Sequence, residues 1–208
     1  MSKRDGQKAA TRRKILDAAF DVLATDGYQA LSTLAVQRAA GVSRGALLHH
    51  FPTRFALCQA LIAELVRRNE EEVWRSLRRL PADLDPVSRA VRALYEAMSR
   101  PAFQTELGLW AAARTDPELR EALRVAEFDA GRDVRRVVDA AFGPAYVADP
   151  AYRVVADLTV ALVHGLAVSG VLRTSDRAAR RALDHWSVVA RQIFDRELAL
   201  DASTSNAS

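Results

Sequence analysis

Gly41 separates two short stretches that read as helices, and this pairing constrains the chain more than any other feature of its sequence. Ser32-Thr33 can cap a helix running to about Ala40, and Ser43 can cap a second one ending near Phe51-Pro52. Val36, Ala40, Val42 and Leu47 are spaced to lock the two together, and a glycine free to take a positive φ supplies the turn. Such a pair is often only a structural corner. On DNA it would present the exposed start of its second helix, Arg44, Gly45 and Ala46, to a major groove. Arg44 is the natural reader, because a guanidinium donates two hydrogen bonds to guanine O6 and N7. His49 and His50 at the helix end, and Arg54 opening the next helix, are placed to meet phosphates and so to position the protein without specifying sequence.

Charge is distributed to match. Residues 1–54 carry nine Lys/Arg against four Asp, whereas residues 55–208 carry 21 basic against 22 acidic residues. All three lysines, Lys3, Lys8 and Lys14, fall in the first fourteen positions, as expected of a segment that meets a polyanion. The single cysteine, Cys58, excludes an intramolecular disulfide framework and a cysteine-rich zinc site, and fits a reducing cytoplasm. No signal peptide is expected at the N-terminus, and the longest uncharged stretch, Leu158 to Leu172, is 15 residues and contains His164, so no membrane span is expected.

Scarce glycine and proline and abundant Ala, Leu and Arg predict an all-α fold of about nine helices. Ile15, Leu16, Ala19, Phe20 and Leu23 form one stripe over a helix from Arg12 to Asp26 that ends at Gly27. After the two short helices, Thr53 caps a long helix to about Arg79. Further helices are expected at about 86–99, 101–114, 117–142, 150–172 and 176–198, several opened by proline in the first turn. The expected organisation is an N-terminal three-helix helix-turn-helix domain over 1–54, a helical effector-binding and dimerisation domain over 55–200, and a disordered tail over 201–208.

The segment from 12 to 65 resembles the TetR/AcrR family of bacterial transcriptional regulators. The resemblance rests on Ile15-Leu16-Asp17-Ala18-Ala19, Gly27-Tyr28, Ala39-Ala40-Gly41-Val42-Ser43 followed by Gly45, and His49-His50-Phe51 with Arg54 and Leu57. It implies DNA contacts at Ser32, Arg44, Gly45, Ala46, His49, His50 and Arg54. Two positions depart from the family pattern: Leu48 replaces a tyrosine whose hydroxyl bonds a phosphate, and Gln37 replaces a small alanine that lets the helices pack closely. The resemblance also implies a homodimer built from the last two helices, a near-palindromic double-stranded DNA operator and a small-molecule effector that releases a repressor from it.

Ala161, Gly165 and Ser169 form a small-residue line at four-residue spacing, and Leu183, Trp186, Ala190 and Ile193 an apolar stripe on the last helix; both are candidates for the dimer interface. Met98, Phe103, Trp110, Phe128 and His164 are candidates to line a ligand pocket, although aromatic residues at helical spacing serve more often as plain core. A buried His164 must find a polar partner, in the protein or in a ligand. Glu70-Glu71-Glu72 reads as a solvated face. No HExxH, GxSxG, glycine-rich phosphate loop or EF-hand pattern is present, so neither an enzyme nor a metal or cofactor site is expected. A DNA-binding dimer without an effector, and a helical enzyme with an incidental basic arm, are the competing readings.

Overall fold

The computed structural model describes the backbone at residues 3–170, 172 and 174–205, and side chains within that set except at 3, 126–134 and 196–205. Among the described residues there are ten α-helices, one 3-10 turn and no strand. They are α1 (Lys3–Asp26), the turn Tyr28–Ala30, α2 (Thr33–Ala40), α3 (Arg44–His50), α4 (Arg54–Arg79), α5 (Pro86–Met98), α6 (Pro101–Ala113), α7 (Pro117–Phe142), α8 (Pro144–Val147), α9 (Tyr152–Gly170) and α10 (Arg177–Ser205). The all-α expectation is met. The additional helix, α8, is a single turn opened by Pro144 after Gly143 at φ 89°.

Contacts divide the chain into two compact units, 1–68 with 101–131, and 69–100 with 132–208. This differs from a boundary at 54/55 for a physical reason. One continuous helix, α4, gives Leu57, Leu61, Ile62 and Leu65 to the first core and Val73 and Leu77 to the second. Helices α1 to α3 therefore share their core with α6 and the start of α7.

In the first unit α1 buries Ile15, Leu16, Ala19 and Leu23 against Leu31, Val36, Leu47 and Leu57, and Leu109, Leu119 and Leu123 join the same core. Each such side chain contributes about 1.5–3 kcal/mol on burial. On the surface Arg68 pairs with Glu64 at 2.8 Å and with Asp17, and its guanidinium lies 4.5 Å from the centre of the Phe20 ring. This fixes α4 to α1.

In the second unit α5 packs its face of Val87, Ala90, Val91 and Leu94 into a core shared with Val155 and Val163 of α9 and Leu183 and Ala190 of α10. Asp85 caps α5 by accepting the Ser88 backbone N–H at 3.0 Å, just before Pro86 at the first turn. The Tyr152 hydroxyl donates to Asp139, and the Trp186 indole N–H donates to Thr159 Oγ1 at 2.8 Å. α10 runs to Ser205, into the stretch expected as a tail; residues 206–208 lie outside the described residues.

At 19 residues and mean hydropathy 1.4, α9 is long and apolar enough to cross a membrane by length and composition. Its arrangement is that of a bundle helix. Tyr152, Val155, Ala156, Thr159, Val163 and Ala167 are buried in its own unit, while Arg153 and Asp157 stand exposed.

Candidate nucleic-acid interface

The turn between α2 and α3 is set by backbone geometry. Gly41 adopts φ 56°, ψ 42°, the left-handed region, and its N–H donates to the Arg38 carbonyl at 3.1 Å. Ser32 Oγ accepts the Ala35 N–H, and Ser43 Oγ accepts the Ala46 N–H, each at 3.1 Å, so both short helices begin on the expected caps. Val36, Ala40 and Leu47 are buried and Val42 is half-buried, which makes the lock between the helices real.

With the lock inward, the opposite face of α3 is left free. Arg44 and Gly45 are exposed and Ala46 is half-exposed, followed by exposed Leu48 and His49 and half-buried His50. A Cβ added at Gly45 would meet nothing within 4 Å. Packing inside the protein therefore does not require this glycine, whereas a surface approaching α3 closely would. Ser32 is exposed; its oxygen is taken by the cap, and its hydroxyl hydrogen remains to donate. Gln37 is half-exposed, at the edge of the packed surface.

Arg54 makes two contacts within the chain. Its Nε donates to the Leu31 carbonyl at 3.0 Å, and its guanidinium lies 4.6 Å from the centre of the Tyr28 ring. The side chain is committed to closing the loop before α2, where it satisfies a backbone acceptor and stacks on an aromatic face.

Further cations come from α1. α1 begins at Lys3, well before the expected Arg12, and carries Lys8 and Arg12 one turn apart. The Arg12 guanidinium sits 5.5 Å from the Phe51 ring centre at the end of α3. Burial, together with the charges of His49, Lys8 and Arg12, holds the His50 imidazole below its ordinary pKa. The Lys14 ammonium lies 3.8 Å from the position a Gly41 Cβ would occupy. Lys8, Arg12 and Lys14 thus border the α2–α3 surface. Their signal in the sequence was the basic N-terminus itself, which became a surface only once α1 was extended backwards.

The candidate ligand residues are divided between the two units. Phe103 and Trp110 pack edge-to-face at 6.1 Å in the first unit, Phe103 buried and Trp110 half-buried. Met98 and His164 belong to the second unit, where burial lowers the His164 pKa. The side chain of Phe128 lies outside the described residues. The second unit also carries a cleft of about 500 Å³ lined by Arg92, Tyr95, Glu96, Arg100, Arg180 and Asp184 among others.

On α10, Leu183 and Ala190 are buried in the chain's own core, and Trp186 and Ile193 pack partly against it. Leu183 and Ala190 of this apolar stripe thus face inward, while Trp186 and Ile193 stay half-exposed at its edge. The outward apolar residues are Val188 and Val189 on α10, and Val154, Leu158 and Val168 on α9 with Leu172 just beyond it. On α9 they run beside Ala161, Gly165 and Ser169; Ala161 and Gly165 are exposed, and the exposed Ser169 turns its hydroxyl back to the Gly165 carbonyl.

Comparison with known proteins agrees with this geometry. The family model of bacterial regulatory proteins of the tetR family matches residues 15–61. The HTH-type transcriptional regulator CymR of Pseudomonas putida is 35% identical over 114 residues, 55% of this chain and 56% of that protein. The chain thus spans little more than half the length of this curated relative. The HTH-type transcriptional regulator BetI of Vibrio parahaemolyticus serotype O3:K6 is 24% identical over 200 residues, 93% of this chain and 94% of that protein. Among solved structures, the multidrug binding protein EbrR complexed with ethidium matches at a TM-score of 0.58 and 26% identity, over 85% of this chain and 97% of that one. A TetR-family member from Streptomyces coelicolor A3, SCO1917, matches at 0.60 and 25% identity, over 85% and 97%. With its helix-turn-helix matched by the family model and its all-helical fold shared with these proteins, the chain carries at residues 15–61 the DNA-binding region of the tetR family of bacterial regulatory proteins and is similar to members of that family beyond it.

Proposed function

We propose that this protein is a DNA-binding transcriptional regulator, acting as a homodimeric repressor on a near-palindromic duplex. The observation that carries the reading is the exposed first turn of α3, where Arg44 and Gly45 stand free beside a capped, glycine-turned partner helix. Exposed cations on α1 and α3 supply the phosphate-facing charge that such binding needs.

The dimer reading rests on the uncovered apolar line Val154, Leu158, Val168 and Leu172 with the small residues between, and on Val188 and Val189. Apolar residues at this spacing on two neighbouring helices suit a two-fold, self-complementary helix packing. A small-molecule effector is supported by EbrR, solved with ethidium bound. A dimer without an effector is the second reading, to which the edge-to-face packing of Phe103 on Trp110 as plain core would belong.

Sedimentation of the free chain, and of the chain titrated onto a duplex, tests the assembly. Two chains per duplex and a dimer in solution that Leu158→Glu dissociates are expected; a monomer that binds DNA singly contradicts the proposal. Addition of ethidium or imidazole to a gel shift is a first test of an effector, with a matched control on an unrelated DNA-binding protein because ethidium itself binds DNA.

A further inference from the structure

Two helices that are distant in their roles converge at the end of α3. From α1 come Lys8 and Arg12, and from α3 comes its last residue, His50. The His50 ring lies 5.4 Å, edge-on, from that of His49, and Arg12 covers the Phe51 ring next to it. The ionisable groups acting on His50 are His49 of α3 and Lys8 and Arg12 of α1; among the described residues no carboxylate is one of them. Lys8 and Arg12 both precede the segment that matches the family model, 15–61. The arrangement concentrates cationic groups around an imidazole.

We propose that Lys8, Arg12 and His50 form a phosphate seat beside α3, and that a DNA phosphate entering it brings a proton onto His50, so that affinity for duplex DNA rises as the pH falls. This rests on the DNA-binding reading above and adds to it three named partners for one phosphodiester and a linked proton. The chemistry is that of a compensating charge. In the free protein the neighbouring cations oppose protonation of the ring. A phosphate reverses that balance, and a protonated imidazole then offers both ring N–H groups as donors. A group protonated only in the complex makes binding tighter below its bound pKa, by at most about tenfold per pH unit for one proton.

The test uses the full chain and a fluorescent duplex of mixed sequence, followed by anisotropy at constant low ionic strength, because phosphate binding needs no particular sequence. From about pH 8 to about pH 6 the wild type is expected to tighten roughly fivefold. His50→Gln flattens most of that response, and His50→Lys binds tightly with a flat profile. Lys8→Gln and Arg12→Gln weaken binding at every pH and each reduce the salt slope by about one. The seat is overturned if His50→Gln keeps the whole wild-type pH response, which would then belong to His49 or the duplex, or if the α1 variants leave the salt slope unchanged. Failure of the wild type to bind any duplex at low salt overturns the DNA-binding reading itself.

Discussion

The Tyr28 hydroxyl donates a 2.9 Å hydrogen bond to Asp116 Oδ2, joining the turn after α1 to the first turn of α7. Asp116 also accepts the Leu119 backbone N–H at 2.9 Å, which caps α7. The Leu119 N–H and the Tyr28 hydroxyl together hold its carboxyl below the usual carboxylate range. Burial and the same hydrogen bond push the Tyr28 phenol upward. The helix-turn-helix is thereby fastened to α7 within one compact unit.

Tyr28→Phe removes the bond while keeping the buried ring, and is expected to cost about 1–2 kcal/mol in a denaturant melt. The sign with pH follows from Asp116. Its folded pKa is depressed, so its contribution is present above the unfolded value near pH 4 and is lost as the pH falls through the lower folded value. The wild type's advantage over Tyr28→Phe should therefore shrink in acid. An advantage that grows in acid contradicts the assigned geometry.

The two glycines of the helix-turn-helix should behave in opposite ways. Gly41→Ala forces a side chain into the left-handed region at φ 56° and is expected to lower stability by about 1–2 kcal/mol. Gly45→Ala adds a methyl group where nothing lies within 4 Å, and should leave thermal stability equal or slightly raised while weakening duplex binding. Equal melting losses in both variants would show that Gly45 is structural after all.

Arg54 offers a contrast with Arg44. Because Arg54 bonds the Leu31 carbonyl and stacks on Tyr28, Arg54→Gln is expected to lower the melting temperature by several degrees. Its salt slope for DNA should match the wild type. A lower slope with an unchanged melting temperature would return Arg54 to the phosphate contacts.

Glu64 should contribute to acid sensitivity. Hydrogen bonds from Arg67 and then Arg68, working against partial burial, bring its pKa from 4.5 to about 2. Stability from this group is complete above the unfolded value and fades as the pH drops towards the folded one. Glu64→Gln is expected to be less stable than the wild type at neutral pH, with the difference closing in acid; parallel stability curves would contradict it.

Much of the fold was legible because helix starts and stops are local chemistry. Ser32, Ser43, Thr53 and Asp116 act through their own nearest backbone N–H groups, and Gly41 through its own φ. The stripe on α10 was legible as apolar, but which of its residues the chain itself covers was not, since periodicity reports that a face is buried and not what buries it. Leu183 and Ala190 proved to be covered by the chain itself. The contacts of Arg54 were not legible for a similar reason: its partners, Leu31 and Tyr28, lie 23 and 26 positions away, beyond any local pattern. The cations bordering α3 depend on where α1 begins, and a basic polar stretch without an apolar stripe gives no period from which to read that start.

The measurement that tests the central claim most directly is selection of bound sequences from random duplex DNA, at a stated salt concentration, with the wild type and with Arg44→Ala. A two-fold symmetric motif for the wild type that loses preference at one base pair of each half-site in Arg44→Ala is the expected result, a loss of about 1–3 kcal/mol of discrimination at that position. No enriched motif at any moderate salt, or the same motif unchanged in Arg44→Ala, would contradict the assignment of α3 as the helix that reads the DNA.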